Sequence, residues 1–251
     1  SDRINKGMSL AEFDLHTEFK KLDGDPSQIA PNYRSSFTWP ESATPRPVQL
    51  ATAELLNGNT PGPSLLIIEA PTGEGKTEAA LYAAQLLAQQ NHASGAVLAA
   101  PTMATANGLF KRFSRWVGNI TESSAVSSLY LAHGKNRLNK DYRKLRYRDI
   151  GEDCTDHGTV TATDWLSGRK NGLLSNFVVG TIDQVLMMAL QIRHSMLRHL
   201  ALAGKVVIFD EVHAYSTYTN EYLAETLRWL AAYGVPVILL SATLPTNRKK
   251  E

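Results

Sequence analysis

The sequence predicts an α/β fold, a mostly parallel sheet flanked by helices. Two observations carry that prediction. Short apolar runs recur along the chain, each apolar on both faces, and stretches with helical spacing or loop composition separate them. Strands buried on both sides and alternating with helices form parallel sheets covered on each face. A third observation is a glycine-containing turn between one such run and a helix, the setting in which a sheet edge binds a ligand.

The elements follow in order. Ser64–Ala70 is a strand run, and Lys76–Gln90 carries Ala and Leu at helical spacing. Ala96–Ala100 reads as a strand, followed by a helix around Ala104–Val117. Val126–Leu131, Phe177–Gly180, Val206–Phe209 and Pro236–Leu240 repeat the strand theme. Residues 1–45 read as a linker or peripheral segment, with a short helix expected around Leu10–Leu22. Residues 46–251 form the main domain, with an insertion at about 134–172 on the outside of the sheet. Within it, Lys135, Arg137, Lys140, Arg143, Lys144, Arg146 and Arg148 interleave with Tyr142 and Tyr147. That pattern suits either a nucleic-acid patch or a solvated amphipathic helix.

Bulk properties set bounds. A chain of 251 residues that is 43% hydrophobic can build its core without staples. The single cysteine, Cys154, excludes an internal disulfide and a cysteine-rich zinc site, which fits a reducing, cytoplasmic setting. Asp153, Asp156 and His157 near it make an incomplete ligand set. No apolar run is long enough for a membrane helix, and Ser1–Leu10 lacks the apolar core of a signal peptide. The chain does not begin with methionine, so a processed or engineered fragment is expected. A net charge of +2 neither demands nor excludes a nucleic-acid partner.

The chemistry begins at Ala70-Pro71-Thr72-Gly73-Glu74-Gly75-Lys76-Thr77, which follows a strand and opens a helix as a P-loop requires. Gly73 and Gly75 let the backbone of the Gly73-Glu74-Gly75 turn point its N–H groups at phosphate oxygens. The helix N-terminus favours the anion, Lys76 can reach the β- and γ-phosphates, and the Thr77 hydroxyl can ligate Mg²⁺. A second strand, Val206–Phe209, delivers Asp210 and Glu211 at its end. Asp210 would complete the Mg²⁺ shell, and Glu211 would orient and deprotonate an attacking water. His213 can change charge near neutral pH, which suits a residue coupling one site to another.

Three further segments sit at strand ends. Ser241-Ala242-Thr243 offers hydroxyls that could bond the acidic segment and a neighbouring domain. Thr102 and the Gly180-Thr181-Ile182-Asp183-Gln184 run start helices and suit contacts to a phosphodiester backbone, or plain helix capping. Upstream, Gln49 of Arg46-Pro47-Val48-Gln49 carries an amide that could pair with an adenine edge, which would make ATP the preferred nucleotide.

Taken together, the AxxGxGKT, APT, GTIDQ, DEVHAY and SATLP strings, spread over residues 46–245, resemble the first RecA-like domain of a superfamily 2 DExH helicase. The longer strings Val179–Gln184, His194…Arg198 and Phe209–Tyr215 resemble the CRISPR-associated helicase–nuclease of type I systems. Leu131-Ala132-His133-Gly134 and Trp165-Leu166 resemble subtype I-E. The resemblance implies an ATP-driven motor moving 3′ to 5′ on single-stranded DNA, recruited by an RNA-guided surveillance complex, with ATP held between this domain and a second RecA-like domain. It implies nucleotide roles for Gln49, Lys76, Thr77, Asp210 and Glu211, DNA-backbone contacts for Thr102, Thr181 and Gln184, and coupling by Ser241 and Thr243.

No His-Asp nuclease signature precedes the motor, Asp156-His157 being in reverse order and elsewhere, and the sequence stops just after Leu244-Pro245. An arginine finger from a second domain is worth about 10³–10⁵ in turnover. The chain is therefore expected to bind Mg-ATP weakly, to hydrolyse it slowly and not to unwind DNA. The competing readings are another superfamily 2 translocase, of restriction or repair type, and a non-catalytic docking module.

Overall fold

The computed structural model describes residues 19–23, 25–57, 64–121, 126–132, 159–161, 172–190 and 195–243. Seven strands form one sheet: β1 Leu65–Glu69, β2 Ala96–Ala100, β3 Val126–Ala132, β4 Thr159–Thr161, β5 Phe177–Thr181, β6 Val206–Phe209 and β7 Val237–Ser241. Their order is β1-β7-β6-β2-β5-β3-β4, and each of the six pairs is parallel. The helices are α1 Ile29–Phe37, α2 Pro47–Asn57, α3 Lys76–Gln90, α4 Met103–Ile120, α5 Ile182–Leu186, α6 Ser195–Ala203 and α7 Thr217–Ala232.

Burial explains why the short apolar runs became strands. Every residue of β2, β5, β6 and β7 is buried, as expected of strands sandwiched between helices. On one face α3 lies over β6, β7 and β1, and α4 lies over β5, β2, β3 and β4. α3 is enclosed almost all round, Ala79 to Ala88 being buried, which is why alanine and leucine crowd it without a polar face. α5 lies against β2 and β5, with α7 packed on it. β1 departs from the expectation of two buried faces. It is the edge strand: Leu66 and Ile68 are buried, whereas Leu65 is 56% and Ile67 36% exposed.

The N-terminal segment is built into the domain where the sequence reading had a linker or peripheral stretch. α1 buries Ile29, Tyr33 and Ser36, spaced by about one and two helical turns. Tyr33 is fully enclosed, with its ring stacked on Tyr82 of α3 at 4.2 Å between centroids. Phe19 forms an isolated antiparallel bridge to Thr121, and the Lys20 carbonyl accepts from Gln85 and Gln89. Most of the expected Leu10–Leu22 helix lies outside the described residues, and its last residues, Phe19–Leu22, are not helical.

The insertion is also corrected in part. Thr159–Thr161 adds a strand beside β3, and Gly172–Leu174 forms a 3₁₀ turn whose Leu173 carbonyl accepts from the buried Lys205 ammonium at 2.5 Å. Burial pushes the Lys205 amine down to about 7. The basic stretch 135–148, its two tyrosines, and the Asp153–His157 cluster lie outside the described residues, as do His133, Gly134, Trp165, Leu166 and His194. Among the described residues no helix is long and apolar enough to cross a membrane.

Candidate nucleotide-binding site

Because all seven strands run parallel, their C-terminal ends share one edge of the sheet. From β1 outward that edge presents the Ala70–Lys76 loop, then Ser241 after β7, Asp210 after β6, Thr102 after β2 and Thr181 ending β5. Residues scattered from 49 to 243 are thereby gathered into one row. This is where open parallel sheets bind ligands.

The loop takes the shape its glycines allow. Gly73 and Gly75 have φ of 91° and 81°, a region that costs other residues strain. At Gly75 any side chain would also collide: a Cβ there would lie 2.4 Å from Nε2 of Gln49. Gly75 caps α3, and Lys76 is its first residue. Lys76 is 7% exposed, and its ammonium donates to the carbonyl oxygens of Ala70 (2.5 Å) and Pro71 (3.0 Å). The start of the loop is tied to β7, since Ala70 N–H donates to the Ser241 carbonyl at 3.2 Å.

A cleft of about 520 Å³ opens on this loop, a size suited to a nucleotide. It is lined by Gly73, Gly75, Lys76 and Thr77 on one side and by Asp210 and Glu211 on another. The loop and the acidic pair, far apart in sequence, thus face one space.

The acidic pair is held by a network. Asp210 is buried; its N–H donates to the Ala99 carbonyl, and its own carbonyl accepts from the Tyr215 hydroxyl at 2.6 Å. Burial, reinforced by the neighbouring Glu211 charge, pushes the Asp210 carboxyl up to about 6, while a backbone hydrogen bond, Lys76 and His213 oppose the rise. A buried carboxylate short of positive charge is a fit place for a cation. Oxygen donors from Asp210 and Thr77 are the hard ligands that Mg²⁺ takes.

Glu211 has φ of 53°, a left-handed backbone that costs a non-glycine residue about 1–2 kcal/mol. That turn aims Oε2 at Nε2 of His213, 3.1 Å away. The opposite ring nitrogen, Nδ1, accepts from the Ala242 N–H at 3.2 Å, and Ser241 Oγ lies 3.4 Å from it. An amide N–H can only donate, so Nδ1 is the bare nitrogen and Nε2 carries the proton toward Glu211. Ser241 Oγ donates to the Thr243 carbonyl at 2.9 Å, completing the link from the acidic pair to the end of β7.

The Arg46–Gln49 segment differs most from expectation. Gln49 is 2% exposed and turned into the protein rather than presented to a base. Its Oε1 accepts from Arg46 N–H (2.8 Å), and its Nε2 donates to the Gly75 carbonyl (3.2 Å). Pro47 is the first residue of α2, and Gln49 reaches back to the residue before it, which is the returning half of a capping box. Proline at the first helical position with glutamine two residues on was a readable helix-start signal. Sequence reasoning missed Arg46, whose Nη1 donates to the Gly73 carbonyl, and Trp39, Pro40, Ala43 and Thr44, which line the same cleft. It also missed the Arg112–Glu78 ion pair at the rim (3.2 Å).

Residues 46–250 match the family description of DEAD/DEAH box helicases. The chain belongs to that family.

Among similar proteins, the CRISPR-associated nuclease/helicase Cas3 of Streptococcus thermophilus is 45% identical over 210 residues, 83% of this chain and 23% of that protein. The crystal structure of T. fusca Cas3-ATP superposes with a TM-score of 0.74 at 42% identity, covering 86% of this chain and 23% of that one. A chain of the CRISPR RNA-guided surveillance complex, pre-nicking, matches with a TM-score of 0.56 at 37% identity, over 81% of this chain and 18% of its own length. This helicase chain spans about a quarter of the length of these relatives.

The remaining predicted positions sit farther along the helicase edge. Ala100 and Thr181 are register partners on β2 and β5, so the Thr102 and Thr181 turns are neighbours. Thr102 is exposed and caps α4, accepting from Thr105 N–H at 3.1 Å. Thr181 is 8% exposed and makes no side-chain cap bond. Gln184 is partly exposed, and its carbonyl accepts from Arg198 Nη1 at 2.7 Å.

Proposed function

We propose that this chain is the ATP-binding first motor domain of an ATP-dependent single-stranded DNA translocase that acts in CRISPR interference. One observation carries the reading. The glycine loop and the Asp210–Glu211 pair line a single cleft of nucleotide size at the C-terminal edge of the sheet. The likeness to Cas3 proteins, one of them solved with ATP and another in an RNA-guided surveillance complex, supports the choice of motor over other helicases of the family.

Each residue then has a task. The free N–H groups at the start of α3 and the Lys76 ammonium bind the triphosphate, Lys76 exchanging its two loop carbonyls for phosphate oxygens. Thr77 and Asp210 would hold Mg²⁺, which supplies charge neutralisation on the phosphates when bound. Glu211 orients the attacking water, and its carboxylate is itself oriented by the His213 Nε2–H. His213, Ser241 and Thr243 form the coupling path to a second RecA-like domain. Thr102 and Gln184 contact the DNA backbone without reading bases, and Thr181, being buried, shapes the turn between them.

Calorimetric titration of Mg-ATP into the chain and into Lys76→Ala tests this. Binding by the first and a loss of at least about tenfold in the second is expected, a charged hydrogen-bonding group being removed from the phosphates. Equal heats for the two proteins would leave a docking module as the better reading.

A further inference from the structure

The geometry points to Gln49 as a positioning residue that clamps the phosphate loop, leaving recognition of the base to other groups. The inference rests on the nucleotide-binding reading above. Its basis is the engagement of both ends of the Gln49 amide inside the protein. Oε1 accepts from the Arg46 N–H at 2.8 Å, and Nε2 donates to the Gly75 carbonyl at 3.2 Å. The residue is 2% exposed, and its own carbonyl accepts from the buried Tyr33 hydroxyl at 3.2 Å. The side chain is therefore fixed from three directions. To pair with an adenine edge it would have to give up the helix cap and the loop contact together.

What the clamp does follows from peptide geometry. In a trans peptide the carbonyl and the following N–H point in opposite directions. Drawing the Gly75 oxygen toward α2 therefore aims the Lys76 N–H away from α2, into the concavity of the loop. Arg46 does the same one turn earlier, its guanidinium donating to the Gly73 carbonyl. Two carbonyls of the loop are thus tied to the N-terminus of α2, and the loop is held open for an anion before any arrives. The φ of 81° at Gly75 and the 2.4 Å approach of a Cβ there to Nε2 show how closely loop and amide are fitted.

A base would meet a different wall. Trp39, Pro40, Ala43 and Thr44 line the cleft beyond Arg46, and Trp39 stacks on Tyr33 at 5.6 Å, so an aromatic face is already held in place there.

The test is calorimetric binding of Mg-ATP, Mg-GTP and Mg-tripolyphosphate, the last having no base, to the chain and to its Gln49→Met and Gln49→Glu variants. Gln49→Glu keeps an oxygen for the Arg46 N–H, and so the cap, while losing the donor to Gly75; should Gln49→Met fail to fold, it carries the comparison alone. All three ligands should weaken by the same factor, roughly three- to tenfold for one lost hydrogen bond, with the ATP-to-GTP ratio unchanged. A loss confined to ATP, with tripolyphosphate bound as before, would overturn the inference and leave the nucleotide-binding reading intact. No loss for any ligand overturns it too. Failure of the unsubstituted chain to bind any of the three sinks both readings at once.

Discussion

The imidazole of His213 stands between Glu211 and the end of β7, its Nε2 3.1 Å from the Glu211 carboxylate and its Nδ1 accepting from the Ala242 N–H. A shift of the Ser241–Thr243 segment must move the ring, and with it the carboxylate. The helicase domain thus carries a rigid path from the water-activating residue to the strand end.

Replacing His213 by Asn shortens that path. Turnover of ATP should fall about 10- to 100-fold with KM little changed, because orientation of the general base is lost while the phosphate contacts remain. Steady-state kinetics would check it. A rise in KM with kcat unchanged would mean that the ring serves binding instead.

Glu211→Gln should leave Mg-ATP affinity within a few-fold and abolish hydrolysis, by about 10²–10⁴. The amide can still meet the His213 Nε2–H but cannot take a proton. Calorimetry beside a turnover assay separates the two effects, and loss of binding would contradict the assignment.

Asp210 makes stability and function oppose each other. Its carboxyl is raised from 3.8 to about 6 in the fold, so folding favours the protonated form. The associated stability is fully present below pH 3.8 and is lost as pH rises through about 6. At neutral pH Asp210→Asn should therefore raise the melting temperature of the ligand-free chain, by up to roughly 3 kcal/mol in stability, and should do nothing below about pH 4. Mg-ATP binding to the unsubstituted chain should tighten as pH rises through about 6, since a cation requires the carboxylate. Melting curves at the two pH values and titrations between them decide the matter. A gain from Asn that persists at low pH would show another cause.

Tyr33 tests the N-terminal segment. Tyr33→Ala should cost about 3–5 kcal/mol in chemical denaturation, as for other large buried aromatics. Tyr33→Phe should cost only about 1 kcal/mol, the hydroxyl bond to the Gln49 carbonyl being its only loss. If Tyr33→Ala unfolds no more easily than the parent, residues 29–37 are an accessory after all.

How much of this was legible varies by element, for reasons that can be named. Lys76–Gln90, Ala96–Ala100 and Val206–Phe209 have the boundaries their apolar patterns predict, because each pattern is local and each element is buried on all sides. The three apolar or hydroxyl positions of α1 are too few to announce burial, which here comes from Tyr82, 49 residues away, stacking on Tyr33. Thr159–Thr161 is a three-residue strand with no pattern of its own, made a strand by the edge of β3.

Gln49 shows the same limit at the site. The chemistry of an amide allows it to pair with a base or with a peptide, and its residue type cannot choose between them. The choice was made by where α2 meets the loop.

The sequence by itself determined that a phosphate-binding turn, an acidic strand end and a hydroxyl strand end exist, since each is written in a few consecutive residues. Only the tertiary structure decided that they face one cleft, and which side chains are spent on holding it. Strand order arises from packing between elements distant in the chain, and no local pattern encodes that β7 lies between β1 and β6. That placement joins Ala70 to Ser241, seats Asp210 beside the loop, and leaves one face of β1 bare.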